Sequence, residues 1–254
     1  MILLDVMREV ARNLSDVREG LATGGTTTTL IDTNLSEPDD YFNGGVIFID
    51  FATPQVAPIT DWALSSKTFT IPTMPAATTG KYYTATTKRF PIDILKNSVN
   101  RALENEIGKV MLLDESITVV EDQLEYTLPD GVRDLRRVEY GNETDGFKKH
   151  LKWREEYGVL IFMDSAPSED YLRIHYASKH PALVYYDDEI NETVDRDYLV
   201  VAATYFAAIW RNLRAGDDEK INKNMVDIYG AELARTRATH QSILLNRDPV
   251  LSRL

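Results

Sequence analysis

Between Tyr198 and Trp210 (YLVVAATYFAAIW) the chain runs for thirteen residues without a charge or a helix breaker. Such a run is too short for the ~20 residues that cross a bilayer, and a helix apolar on nearly every side must be surrounded by protein. Asp195 and Asp197 precede it and Arg211 and Arg214 follow, which puts charge of the favourable sign at each end of the helix dipole. Gly216 supplies a C′ stop. The pattern predicts a buried hub helix. Two amphipathic helices accompany it. Leu3, Val6, Met7, Val10, Leu14, Val17 and Leu21 recur at three- and four-residue intervals, with Gly20 able to end the helix. Ile92, Leu95, Val99, Leu103, Ile107 and Val110 form a second stripe in a helix opened by Pro91 at its first position, with Asp93, Lys96, Asn100, Glu104 and Lys109 opposite. A last helix opens at Asp217-Asp218 and carries Ile221, Met225, Ile228, Tyr229 and Leu233 on one side. Its stripe fades between Ala234 and Ser242, and Asn246 to Leu254 (NRDPVLSRL) reads as a Pro-interrupted tail.

Elsewhere the period is two. Thr26–Asp32, Val46–Phe51, Ile59–Trp62, Lys67–Ile71 and Lys81–Thr86 are rich in Thr, β-branched and aromatic residues and are separated by Gly, Pro, Asn and Asp. They predict a small antiparallel barrel or sandwich over residues 23–87, inserted between two helices. In its first connection, Leu35–Gly45, Glu37-Pro38 enforces extended or turn backbone and Asn43-Gly44-Gly45 permits positive φ. Asp39, Asp40, Tyr41 and Phe42 within it are a candidate contact loop of the β-rich domain. After Leu113, segments at Ser116–Val120, Gln123–Leu128, Leu135–Tyr140, Lys148–Trp153, Val159–Met163 and Tyr171–Tyr176 predict a five- or six-stranded antiparallel sheet with one wet face. The expected fold is α+β. A bundle of about four helices with an antiparallel sheet occupies residues 1–22 and 88–244, the β-rich domain 23–87, and a C-terminal arm 245–254.

Composition narrows the function. The formal charge of −12 and pI near 4.8 argue against a general nucleic-acid binder. Residues 25–80 hold six acids and one base, Lys67, whereas Leu233–Leu254 carry Arg235, Arg237, Arg247 and Arg253 against Asp248. The absence of cysteine excludes disulfides, thiolate metal sites and a cysteine nucleophile. The N-terminal MILLDVMREVARN has no uninterrupted apolar core, so no signal peptide is expected and the chain is read as made in the cytoplasm. None of the four histidines (His150, His175, His180, His240) falls in an HExxH or HxH spacing. His175 is expected on a sheet face. There is no Gly-x-Ser-x-Gly elbow, Walker loop or Gly-x-Gly-x-x-Gly. Asp39-Asp40 lacks the alternating oxygen ligands of a calcium loop, and Glu155-Glu156 and Asp187-Asp188 are adjacent carboxylates in turns. In the hub helix only Tyr198, Thr204 and Tyr205 carry reactive groups. No catalytic, cofactor or metal residue is expected, and the reading is of an assembly protein rather than an enzyme.

The order of these features resembles the head-to-tail connectors of tailed bacteriophages, specifically the adaptor between portal ring and tail. The resemblance rests on the amphipathic first helix, TTTTLIDTNLSEPDDYFNGGVIFI, RFPIDILKNSVNRALENEI, YTLPDGVRDLRRVEY, LRIHYASKHPALV and RDYLVVAATYFAAIWRNLRAGDDEKI, and covers most of the chain. It implies a homo-oligomeric ring in the virion neck, commonly of twelve copies, assembled in the host cytoplasm. The C-terminal arm would bind the portal protein through Arg247, Val250, Leu251, Arg253 and Leu254, and the other side would meet the tail or next connector ring. Carboxylates lining the conduit would let packaged DNA slide without specific binding. The β-rich insertion departs from the smallest, mostly helical members, and the role expected of it is an outer collar or a contact to the capsid or next ring. A tail-side stopper or tail-completion ring is the nearest alternative, and a virion-associated hydrolase working through carboxylates a more distant one.

Overall fold

The computed structural model describes residues 1–14, 17–132, 134–142, 144–150, 152–163, 166–167, 171–214 and 219–247. In chain order they form helix α1 (Leu3–Leu14) and strands β1 (Arg18–Leu21), β2 (Gly24–Gly25), β3 (Thr29–Ile31), β4 (Val46–Ile49), β5 (Gln55–Pro58), β6 (Asp61–Ala63), β7 (Thr68–Thr70) and β8 (Tyr82–Ala85). Helix α2 (Ile92–Ala102) follows and continues as a π-helical turn, Leu103–Ile107. Strands β9 (Lys109–Asp114), β10 (Glu125–Thr127), β11 (Leu135–Asn142), β12 (Gly146–His150), β13 (Trp153–Glu156), β14 (Val159–Phe162) and β15 (Tyr171–Lys179) precede helices α3 (Arg196–Arg214) and α4 (Glu219–Arg247). The protein is therefore α+β, with four α-helices and antiparallel sheets among the described residues. It divides into two compact units, residues 1–106 with 182–254, and residues 107–181. The β-rich segment shares the first unit with all four helices.

In the first unit α3 is the hub. Leu199, Ala202, Ala203 and Ala207 are fully buried, and α1 turns Leu3, Val6, Met7 and Val10 inward to full burial as well. The Asp195 carboxylate caps α3 by accepting the Tyr198 backbone N–H at 2.9 Å, satisfying a donor that has no partner within the helix. Helix α1 stops at Leu14, not at Leu21. The chain beyond pairs as β1 with β8, Gly20 opposite Tyr83, so Val17 and Leu21 continue the helical spacing by coincidence. Gly20 is not a helix stop; a Cβ there would lie 2.7 Å from the Asp32 carboxylate and 3.2 Å from the Tyr83 ring. Pro91 caps α2 from outside rather than occupying its first turn.

The eight strands of this unit form two sheets, ordered β1-β8-β4-β5 and β2-β3-β7-β6. Both sheets supply one core, in which Phe42, Trp62 and Phe69 are buried and mutually packed, with ring centroids 4.5–5.3 Å apart. Gly45 admits this packing at the turn into β4, since a Cβ would stand 2.0 Å from the Thr86 carbonyl oxygen. Strand β5 is absent from the sequence pattern because its QVAP is short, half-buried and proline-ended.

The second unit contains a four-stranded sheet, β12-β11-β15-β9, and a three-stranded sheet, β10-β14-β13. Their shared core includes Tyr126, Val138, Leu160, Phe162, Leu172 and Ile174. Strand β9 replaces the end of the predicted second helix. Gly108, at φ 72°, breaks the helical path, and Val110 pairs with Ser178 instead of extending the stripe.

Candidate interaction surfaces

The C-terminal arm is the first predicted surface. Arg247 ends α4, so helix continues through residues 245–247 where the sequence pattern begins a tail. Val250, Leu251, Arg253 and Leu254 lie outside the described residues, as do Gly216 and Asp217-Asp218. The geometry leading to the arm is set by α3 and α4. Gly230 allows the Tyr205 ring to approach within 3.2 Å of where a Cβ would be, and Tyr198 is hydrogen-bonded to Arg237. These contacts are seven residues apart on each helix and run in opposite directions, so α3 and α4 are antiparallel and Arg196 stands level with Thr239. Helix α4 therefore runs eight residues beyond the start of α3, about 12 Å at 1.5 Å per residue.

A polar cluster fixes this register. The Tyr198 hydroxyl donates to Glu106 Oε2 at 2.9 Å, and Arg237 Nη2 donates to the same oxygen at 2.5 Å. The Glu106 side chain is only 12% exposed, so two donors on one oxygen stabilise a carboxylate that would otherwise be poorly solvated. Burial raises the Tyr198 phenol above its ordinary value, and the Glu106 hydrogen bond adds to the rise. Glu106 sits in the π-helical turn, whose irregular path aims it at α3. Tyr198 is visible in the sequence, whereas Glu106 and Arg237 are 131 positions apart and carry no local signal. Thr204 donates to the Val200 carbonyl at 2.7 Å and receives Asn13 Nδ2 at 3.3 Å. Tyr205 packs against Gly230.

The second predicted surface is the loop Asp39–Phe42. Asp39 and Asp40 are exposed and Tyr41 half-buried. Phe42 is completely buried, edge-on to Trp62, so it anchors the loop from beneath and is not available as a contact residue. The turn is tightly determined. Asp39 Oδ1 accepts the Leu64 N–H at 2.6 Å, Asp40 adopts φ 64°, and Asn43 Nδ2 donates to Asp40 at 2.5 Å and to Asp61 at 3.2 Å. Pro38, Asp40, Tyr41, Thr87, Lys88 and Arg89 border a shallow depression here. Among the described residues no group of three or more His, Asp or Glu is placed to hold a metal ion.

A third cluster lies on the outward face of the four-stranded sheet and is missed by local reading. Glu139 is 4% exposed although its strand neighbours Val138 and Tyr140 face the core. His175 Nε2 lies 3.0 Å from Glu139 Oε2, and Arg137 pairs with Oε1. Burial pushes this carboxyl up, but the His175 hydrogen bond and the Arg137 charge outweigh that and hold it below the ordinary glutamate value. His175 is thus on a sheet face, as its alternation predicts. Arg173 lies 3.6 Å above the Phe147 ring and pairs with Glu115. Of the adjacent carboxylates, Asp188 Oδ2 accepts the Val184 and Tyr185 N–H groups in a turn, whereas Glu155 and Glu156 lie on strand β13 and not in a turn.

No protein-family profile matches this chain, and no curated protein sequence matches it.

Proposed function

We propose that this chain is a structural subunit of a bacteriophage head-to-tail connector: an adaptor that forms a ring beneath the portal, joins the capsid vertex to the tail, and surrounds the DNA conduit in the virion neck. The observation that carries the reading is the α3–α4 hairpin, whose second helix runs about 12 Å past the first and leads directly into the apolar and basic residues Val250, Leu251, Arg253 and Leu254. A helix held at its middle by the Glu106–Tyr198–Arg237 cluster and continued past its partner is suited to present an arm to another protein. In this reading Arg247 and the residues after it bind the portal, the opposite side meets the tail or next ring, and the net charge of −12 keeps DNA from adhering.

The β-rich segment is a small closed barrel in the same reading. Ala22 N–H donates to the Lys81 carbonyl and Thr23 N–H to Ile31, so the chain passes from β1 into β2 while changing sheets. Ile59 N–H donates to Gly45 and Thr60 N–H to Thr70, which makes the same bridge between β5 and β6. Two such corners, each joining two of the eight short strands end to end, are what closing the two sheets around one aromatic core requires. That self-contained core also favours one alternative, a tail-side stopper ring built from the barrel.

Removal of residues 245–254 separates the two. Co-sedimentation of the shortened chain with portal rings from the same genome is expected to fail while its far-ultraviolet circular dichroism stays native. Retained co-sedimentation would refute the arm as the portal contact.

A further inference from the structure

The depression beside the Asp39–Phe42 loop has a volume of about 410 Å³, within the range of small-molecule sites. Its two walls are held by separate stretches of the β-rich segment. On one side the Asp40 N–H donates to the Trp62 carbonyl and the Tyr41 N–H to Pro38, and the Tyr41 ring stands edge-on to buried Phe42 at 4.9 Å. On the other side exposed Lys88 and Arg89 lie between Thr87 and Phe90, both of them buried. A Cβ on Gly44 would stand 3.5 Å from the Lys88 side chain, so this wall is packed closely on the turn. Walls that are fixed before a ligand arrives reduce the ordering cost of binding.

Two acids and two bases border this depression without pairing across it. Asp39 and Asp40 each commit one oxygen, to the Leu64 N–H and to Asn43 Nδ2, which leaves the second oxygen of each carboxylate. Among the described residues no ion pair joins either of them to Lys88 or Arg89. Independently, Thr87 walls the same depression at 7% exposure, and its hydroxyl finds no hydrogen-bond partner among the described residues. A buried hydroxyl left unpaired costs free energy, and a ligand that hydrogen-bonds it recovers that cost. Balanced charges give an ion no net field, but they set acceptors beside donors, as a ligand hydroxyl requires because it both donates and accepts. Half-buried Tyr41 adds an aromatic surface for the C–H face of a sugar ring. We propose that the depression binds a neutral saccharide: Asp39 and Asp40 accept from its hydroxyls, Lys88 and Arg89 donate to them, and Thr87 completes the set. A neutral sugar suits this site better than phosphate, which the two carboxylates would repel. Such a site operates whether or not the chain forms a ring.

The test is saturation-transfer NMR on the full-length chain with maltotriose, cellotriose and chitotriose as probes, each titrated for affinity. Transfer to the ring protons of at least one trisaccharide is expected, and it should persist in about 0.5 M sodium chloride, where the attraction of an ion would be screened. Tyr41→Ala and Arg89→Ala, both at the rim, should each weaken that affinity by about tenfold. Thr87→Val keeps the shape of the wall and removes the hydroxyl. It should weaken binding by about fivefold or more while leaving the thermal midpoint of the free protein unchanged or raised, because an unpaired buried group has been removed. No transfer to any of the three probes would overturn the proposal. So would a Thr87→Val variant that melts earlier yet binds unchanged, which would make the hydroxyl purely structural. Competition by inorganic phosphate that is abolished by salt would overturn it too, by assigning the depression to anions.

Discussion

Replacing Phe42 with alanine tests the core of the β-rich segment and the reassignment of that residue from surface to interior. The side chain is fully buried and packs against the rings of Tyr41, Trp62 and Phe69 at centroid distances of 4.9, 5.3 and 5.0 Å. A buried Phe→Ala change removes transfer free energy and leaves a cavity, together about 3–5 kcal/mol. The enclosure of Phe42 by three other rings puts it at the upper end, since edge-to-face pairs contribute about 0.5–1.5 kcal/mol beyond burial. Set against a total stability of about 5–15 kcal/mol, such a loss would nearly unfold a marginal protein. Urea unfolding followed by tryptophan emission is the appropriate assay, because Trp62 belongs to the same cluster and is 1% exposed. The expected result is a large fall in the midpoint for Phe42→Ala and a smaller one for Phe42→Leu. Tyr41→Ala should cost less again, as Tyr41 is only half-buried. An unchanged midpoint for Phe42→Ala, coupled with weakened partner binding, would refute the burial and return Phe42 to the contact surface.

Other consequences are independent of that core. Asp195→Ala removes the side-chain cap of α3 and should cost about 1 kcal/mol in thermal or chemical unfolding; Asp195→Asn should restore most of it. Glu139 has a folded-state pKa below its ordinary 4.5, so its contribution is present above that value and is lost as pH falls through the lower, folded-state value. Glu139→Gln should therefore destabilise the protein most near neutral pH, with the difference from wild type shrinking under acid, as urea titrations at several pH values would show. Glu106→Gln should weaken the hold of Arg237 and Tyr198 on the π-helical turn, and hydrogen exchange should report faster opening in α4 than in α3. Equal protection of α4 in both proteins would show that the cluster does not fix the register.

The hub helix was legible because an uncharged run flanked by acids and arginines admits few other structures. The strands of residues 23–87 were legible from their threonines, β-branched residues and turn formers. Failures came where spacing persisted across a change of structure. Val17 and Leu21 follow Leu14 at helical intervals yet occupy and flank β1, because backbone pairing to β8 decides the conformation there. Val110 likewise continues the α2 stripe, but Gly108 redirects the chain into β9. The polar clusters escaped because charge partners are chosen by tertiary packing: Glu106 meets Arg237, and Glu139 meets His175 from 36 positions away. Phe42, placed among exposed-type residues Asp39, Asp40 and Tyr41, looked like a surface aromatic until Trp62 and Phe69 were brought over it.

The central claim, that the chain is a ring subunit docked through its C-terminal arm, is tested most directly by light-scattering mass of portal rings mixed with full-length chain and with the chain ending at residue 244. The full-length chain should add a fixed, symmetric number of copies to each portal ring, and the shortened chain, folded, should add none. A full-length chain that leaves the portal mass unchanged while closing into rings alone would contradict the adaptor reading and favour a tail-side ring.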